Sequence, residues 1–129
     1  IEEYGLHNEV KLLGFLNDVE PLMNVMDVQV NCSFGTEATS LALLEGMSLG
    51  KPAVVTDFGG NPGVITDGVN GFLTPTHNAK ATAECLEKLF CDEAMYQKMS
   101  GECVRVYNEK FTAEVNTRNI ERIYMTVLN

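Results

Sequence analysis

Two carboxylates near the start of an apolar helix, Glu37 and Glu45, are the first residues of this chain whose types and spacing could do chemistry. An apolar strand ends near Asn31, and residues 33–40 then form a loop of small and polar side chains. A carboxylate can accept hydrogen bonds from two adjacent hydroxyl groups, and the N–H groups that open a helix suit an anion. Because open α/β sheets bind ligands at the carboxyl ends of their strands, this order predicts a binding site there.

A second candidate loop, Gly59-Gly60-Asn61-Pro62, follows the next apolar strand. Adjacent glycines let backbone N–H groups converge on the oxygen atoms of a ligand. A lone Gly-Gly pair is weak evidence, however, since most such pairs are simply turns. From these residues alone, a ligand cradle and an ordinary turn both stay open.

Apolar strands alternate with helices in the first part of the chain, which predicts βαβ units and a parallel sheet. We expect strands at residues 10–13, 27–31, 53–56 and 71–73. We expect helices at residues 19–26, from 39 or 40 to about 49, 79–90, 92–107 and 112–128. Asp18, Thr39 or Ser40, and Thr112 are the predicted N-caps. In the last helix, the expected core side chains are Val115, Ile120, Ile123 and Val127.

The composition limits the function classes. At 129 residues the chain has the length of one domain, and its 45% hydrophobic content is typical of globular proteins. A net charge of −9 argues against a nucleic-acid surface and offers no basic patch to anionic lipids. The four cysteines form no C-x-x-C pair, so zinc and redox motifs are not indicated, and reduced thiols of a cytosolic protein are the simplest interpretation. No apolar run is long enough for a membrane span.

Five sequence blocks, in order and at fitting distances, resemble one family. Seven residues separate Glu37 from Glu45, and residues 46–55 are similar to an Ala-Met-Ala-x-Gly-x-Pro-Val-Val pattern. Gly59-Gly60 follows, and residues 67–73 are similar to Asp-Gly-x-x-Gly-x-Leu. These blocks resemble the C-terminal domain of retaining, nucleotide-sugar-dependent glycosyltransferases of group 1 (family four). Members of that family have two Rossmann-like domains, the GT-B fold.

The resemblance implies an α/β fold, with a Rossmann-like parallel sheet flanked by helices and a helical C-terminus. Residues 1–129 would be a single nucleotide-sugar-binding domain, the C-terminal part of a longer enzyme whose N-terminal acceptor domain is missing here. That enzyme would transfer a hexose from a UDP- or GDP-sugar to a saccharide or lipid acceptor with retention, as in polysaccharide biosynthesis. It would need no metal ion or other cofactor. We expect a cytoplasmic protein, peripheral at the inner membrane face at full length, and an isolated chain that is inactive.

The resemblance also assigns roles to residues. Glu37 would contact the donor sugar and stabilise positive charge in the transition state, and Glu45 would hold the ribose hydroxyls. Backbone groups of two loops would steady the sugar and the phosphates: Ala38, Thr39 and Ser40, and Gly59, Gly60 and Asn61. The plainer interpretations are two solvated glutamates and an ordinary helix cap.

Two departures from the family pattern keep alternatives open. Ala38 stands in place of a glycine, and Gly63 stands where a glutamate is frequent. Both favour a non-catalytic α/β domain that has kept the fold and lost turnover. A sugar-nucleotide epimerase or a phosphorylase of the same architecture is the other alternative, although no pyridoxal-binding lysine motif is evident.

Overall fold

The computed structural model describes residues 1–36 and 38–128. In this part of the chain, three strands alternate with helices and three longer helices follow. The strands are β1 (Gln29–Asn31), β2 (Ala53–Thr56) and β3 (Gly71–Thr74). The helices are α1 (Glu20–Val25), α2 (Leu41–Ser48), α3 (Asn61–Val64), α4 (Ala79–Cys91), α5 (Glu93–Lys110) and α6 (Ala113–Val127), with a 3₁₀ turn at Glu2–Tyr4.

The three strands form one parallel sheet in the order β1-β2-β3. Val54 of the central strand lies opposite Val30 on one side and Phe72 on the other. All four residues of β2 are buried, which explains why this strand reads as an unbroken apolar run. The parallel arrangement brings the loops after β1, β2 and β3 to one edge of the sheet.

Side-chain caps explain where the helices begin. The side chains of Ser40 and Thr112 accept hydrogen bonds from the backbone N–H groups of Leu43 (3.4 Å) and Val115 (3.3 Å), so both predicted caps are confirmed. The predicted cap Asp18 is not the N-cap of α1, because α1 begins one residue later than predicted and its N-cap is Val19. Asp18 accepts a hydrogen bond from the N–H of Glu20 at 3.1 Å.

The sheet separates two groups of core side chains. Successive residues of a strand point to opposite faces, and Val55 and Val54 accordingly belong to different groups. On one face Val55 packs with α2 and α5, through residues that include Leu43, Met47, Cys103 and Val106. On the other face Val54 packs with Leu89 of α4 and Met99 of α5. Helices therefore cover both faces of the sheet, and the predicted fold class is confirmed.

Two further sequence predictions were wrong. Residues 10–13 are not a strand, and Leu12 is 85% exposed. A strand needs a neighbour to pair with, and among the described residues the sheet ends at β1. The apolar stripe of α6 was assigned to the core, yet Ile120, Ile123 and Val127 are 44%, 60% and 77% exposed. The helical period of the stripe correctly predicted one shared face, but not that a neighbour would cover it.

Within the described residues, no helix combines the length and the apolar character that crossing a membrane would require.

Candidate functional site

The loop after β1 borders a cleft that runs along β1 to the start of α2. This cleft has a volume of about 490 Å³. It is lined by β1 and by residues of the loop, including Ser33, Phe34, Thr36 and Ser40. Ser40 caps α2, so the first turn of the helix opens beside this cleft. The first N–H groups of a helix have no partner within the helix, and they can bind a negatively charged or oxygen-rich ligand.

The two loops predicted from the sequence meet at Gly60. A methyl group built on Gly60 would lie 1.4 Å from the carbonyl oxygen of Ala38 and 3.2 Å from the Cα of Thr39. No side chain fits at that distance, so this position needs glycine for close approach of two backbones. The structure therefore brings the segment around Ala38–Ser40 against the segment around Gly59–Asn61, although 20 residues lie between Thr39 and Gly60.

The side chain of Asn61 is an internal support of the second loop. It is 0% exposed, and its Nδ2 donates to the backbone carbonyl of Thr56 at 2.9 Å. Its Oδ1 is buried and has no hydrogen-bond partner among the described residues. The backbone N–H of Asn61 donates to the carbonyl of Phe58 at 3.2 Å, which closes the Gly59-Gly60 turn. In this conformation, Asn61 shapes the loop from inside and does not present its side chain to a ligand.

Glu45 lies on another side of α2 from Ser40. Five positions along a helix correspond to a rotation of about 140° and a rise of about 7.5 Å. The carboxylate is exposed and borders a cleft of about 460 Å³, which α2 forms with the loop before α1 and with Tyr107 of α5. That cleft is lined by Asn17, Asp18, Val19, Glu20, Met23, Glu45, Ser48, Leu49 and Tyr107.

Residues 17–20 were not predicted as part of a site. The sequence assigned Asp18 to the N-cap of α1, a position that Val19 occupies, and gave its neighbours no role. Their position beside Glu45 follows from the packing of α1 near α2, which is held in part by a hydrogen bond from Lys51 Nζ to the carbonyl of Asn24 at 3.0 Å. No short motif marks such a contact, because the two segments are more than 20 residues apart in sequence.

Glu37, the predicted catalytic residue, lies outside the described residues, and its role stays a prediction. Its chain neighbours Thr36 and Ala38 are exposed at the same edge of the sheet. Over residues 1–36 and 38–128, no three His, Cys, Asp or Glu side chains are grouped as metal ligands.

A family model, related sequences and solved structures were each compared with this chain. The family model described as glycosyl transferases group 1 matches residues 1–92. The alpha-1,3/1,6-mannosyltransferase ALG2 of Dictyostelium discoideum is 31% identical over 126 residues, which are 95% of this chain and 29% of that protein. The Anabaena protein HepE, solved in complex with UDP, is 27% identical with a TM-score of 0.88, and the match covers 96% of this chain and 34% of HepE. The same protein has been solved with UDP-glucose.

A third comparison concerns the fold alone. The C-terminal domain of a group 1 family glycosyl transferase from Francisella tularensis superposes with a TM-score of 0.75 at 23% identity, over 87% of this chain and 58% of that one. The chain thus spans about a third of the length of the mannosyltransferase and of HepE. With its parallel sheet, flanking helices and helical C-terminus, it has the fold of the C-terminal domain of GT-B enzymes, and it belongs to the group 1 glycosyltransferases.

Proposed function

We propose that this chain is the donor-binding domain of a retaining hexosyltransferase that uses a UDP- or GDP-sugar. The observation that carries the proposal is the contact between Gly60 and Ala38. It joins the two loops at the carboxyl ends of β1 and β2 into one surface, next to the start of α2. A ligand placed there reaches backbone groups of both loops and the N-terminus of a helix, which is the arrangement that suits phosphate and sugar oxygens.

The nucleoside end of the donor is assigned to the cleft beside Glu45. Its exposed carboxylate can accept hydrogen bonds from two adjacent ribose hydroxyls. Met23 and Leu49 give the same cleft an apolar part, and Asn17 and Asp18 give it polar groups, a combination suited to a flat heterocyclic base. The complexes of HepE with UDP and UDP-glucose support a uridine nucleotide as the first ligand to test.

The sugar end of the donor is assigned to the joined loops. Backbone groups of Ala38–Ser40 and Gly59–Asn61 would steady the hexose and the diphosphate. Glu37 directly precedes Ala38 in the sequence. Its carboxylate would stabilise the oxocarbenium-like charge that develops as the glycosidic bond breaks. The diphosphate would be held by the N-terminus of α2, and the proposal includes no metal ion.

The acceptor is proposed to be a saccharide or a lipid. It would bind to an N-terminal domain of the same protein, in keeping with the small share of its relatives that this chain covers. Transfer would then need both domains, because donor and acceptor must be held together with their reacting atoms aligned.

A non-catalytic nucleotide-sugar-binding domain is the second candidate. One observation favours it: a methyl group built on Gly63 would have no atom within 4 Å, so the space where the family frequently has a glutamate is open here. A site that lacks this polar group can still bind a nucleotide through Glu45. The two candidates differ in turnover and not in nucleotide binding.

The first test is donor binding by ligand-observed NMR with UDP, GDP, ADP and their sugars. We expect one nucleotide to saturate, and Glu45→Ala to weaken its binding by roughly 10-fold or more, because two hydrogen bonds to a charged group are lost. Glu84→Ala, which removes an exposed glutamate of α4, is the matched control and should bind like the wild type. Equal affinity in the Glu45→Ala and Glu84→Ala variants would exclude the assigned ribose contact.

Turnover is tested in the protein that includes the acceptor-binding part. Nucleotide release from the saturating donor, in the presence of saccharide or lipid acceptors, would identify the transferase. Binding with no release for any acceptor would favour the non-catalytic candidate.

A further inference from the structure

The hydroxyl group of Thr56 connects the ends of β1 and β2. Thr56 is the last residue of β2 and is 3% exposed. Its Oγ1 donates to the backbone carbonyl of Ser33 at 2.6 Å, across the carboxyl edge of the sheet. The N–H of Ser33 in turn donates to the side-chain Oδ1 of Asn31 at 3.0 Å. The loop that leaves β1 is therefore fixed at Ser33 by hydrogen bonds on both sides of one residue.

The same strand end is tied to the second loop by Asn61. The Nδ2 group of Asn61 donates to the carbonyl of Thr56 at 2.9 Å and lies 3.4 Å from the Thr56 hydroxyl. Gly60, directly before Asn61, contacts the carbonyl of Ala38. The contacts thus form a continuous path that starts at Ser33, passes through Thr56, Asn61 and Gly60, and ends at Ala38.

This path holds the first loop at two residues, Ser33 and Ala38, and Glu37 lies between them in sequence. Both supports come from the segment that ends β2 and starts α3. Fixing the two ends of a six-residue segment (33–38) limits the conformations available to the residues inside it. A loop held in this way presents its backbone and side chains with little loss of entropy when a ligand binds.

We propose that Thr56 is a positioning residue, whose hydroxyl fixes the loop that carries Glu37. As a role in transfer, this rests on the function proposed above, with Glu37 acting at the donor sugar. Thr56 is not among the described residues that line the cleft bordering Glu45, so we expect its effect at the sugar and diphosphate end of the donor. Loss of the hydroxyl should therefore lower turnover and leave binding of the nucleoside unchanged.

The chain offers a matched control in Thr74. Thr74 is paired with Thr56 in the sheet, ends the neighbouring strand β3, and is 2% exposed. Its hydroxyl donates to the carbonyl of Val55 at 3.3 Å and lies 3.3 Å from the hydroxyl of Thr82, so its hydrogen-bond partners among the described residues lie outside the loop after β1. Thr56→Val and Thr74→Val each remove one buried hydroxyl group and keep nearly the same side-chain volume. Thr56→Ser restores the hydroxyl.

The first measurement is amide hydrogen exchange of residues 33–40, which does not depend on activity. We expect faster exchange in this segment for Thr56→Val than for Thr74→Val, with Thr56→Ser close to the wild type. Equal exchange of residues 33–40 in the two valine variants would overturn the proposal, whatever the protein does with nucleotide sugars.

The second measurement is donor turnover, where displacement of a catalytic loop by about 1 Å can cost roughly 100-fold in rate. For Thr56→Val we expect kcat to fall by roughly 10- to 100-fold, with affinity for the free nucleoside within about twofold of the wild type and activity restored by Thr56→Ser. A fall no larger than that of Thr74→Val would overturn the catalytic part of the inference. A wild-type protein that binds and turns over no nucleotide sugar would instead refute the proposed function, and hydrogen exchange would still decide whether Thr56 fixes the loop.

Discussion

At the scale of single residues, the approach of two backbones at Gly60 sets the shape of the candidate sugar site. A side chain at this position would displace the loop at Ala38, and we expect Gly60→Ala to lower the free energy of unfolding by about 1–3 kcal/mol, as overpacked sites do. Gly63→Ala, three residues later, is the control, because its methyl group would meet no atom within 4 Å. Urea unfolding of both variants measures the difference.

The control should be neutral or slightly stabilising, since alanine has a higher helix propensity than glycine by up to about 1 kcal/mol. If both variants unfold at the same urea concentration, the contact between Gly60 and Ala38 does not constrain the loops. The Gly60→Ala variant should also bind a nucleotide sugar more weakly than the wild type, and bind the free nucleoside about equally well.

Burial determines the chemistry of another residue, Cys103, outside the site. The thiol is fully buried between α5 and the sheet and donates to the backbone carbonyl of Asn70 at 3.2 Å. Removal from water raises the pKa of Cys103 to about 12, so the reactive thiolate is scarce at neutral pH. Its burial among the side chains of the core assigns Cys103 to packing.

At the scale of elements, α6 differs from the helices that form the core. No described residue of α6 is buried, whereas Leu89 of α4 is 2% exposed. We therefore expect Ile123→Gln to change the free energy of unfolding of this chain by no more than about 0.5 kcal/mol, as for other surface positions. Leu89→Ala should cost about 2–5 kcal/mol, the usual range for a buried leucine.

Denaturant titration of the two variants makes this comparison. A loss of stability in Ile123→Gln comparable with that of Leu89→Ala would mean that the apolar face of α6 is covered. The test matters because the sequence alone placed that face in the core.

The elements also show what periodicity can predict. The unbroken apolar run of β2 and the caps Ser40 and Thr112 were predictable, since each depends on residues close in sequence. The error at residues 10–13 has the opposite origin. A short apolar run is a strand only if a neighbouring strand pairs with it, and pairing depends on residues far away in sequence.

At the scale of the whole molecule, the spacing of the two glutamates and of the glycine-containing blocks that follow them was sufficient to indicate the family. It was not sufficient to show which other segments lie beside the candidate site residues. The contact of Gly60 with Ala38, and the position of Glu45 in a cleft with Asn17 and Asp18, follow from packing of segments that are distant in the chain. The resemblance assigned the backbone of Asn61 to the ligand, but it gave no indication that the side chain of Asn61 is buried beneath the loop.

The proposed division of the site leads to a kinetic prediction for the complete protein. Glu37 precedes α2 by a few residues and is assigned to the sugar, and Glu45 lies in the second turn and is assigned to the ribose. A group that acts mainly in the transition state affects kcat, whereas a group that binds substrate and transition state alike affects KM. For Glu37→Gln we expect kcat to fall by roughly 100-fold or more, at a donor KM close to that of the wild type.

Glu45→Gln should show the reverse pattern, with a donor KM raised roughly 10-fold and a smaller change in kcat, because each lost hydrogen bond to ribose is made equally in both states. Initial rates of nucleotide release over a range of donor concentrations separate the two effects. If the Glu37→Gln variant keeps the wild-type kcat, Glu37 has no role in the chemical step. If both variants change kcat and KM together, the two carboxylates act on one part of the donor and not on its two ends.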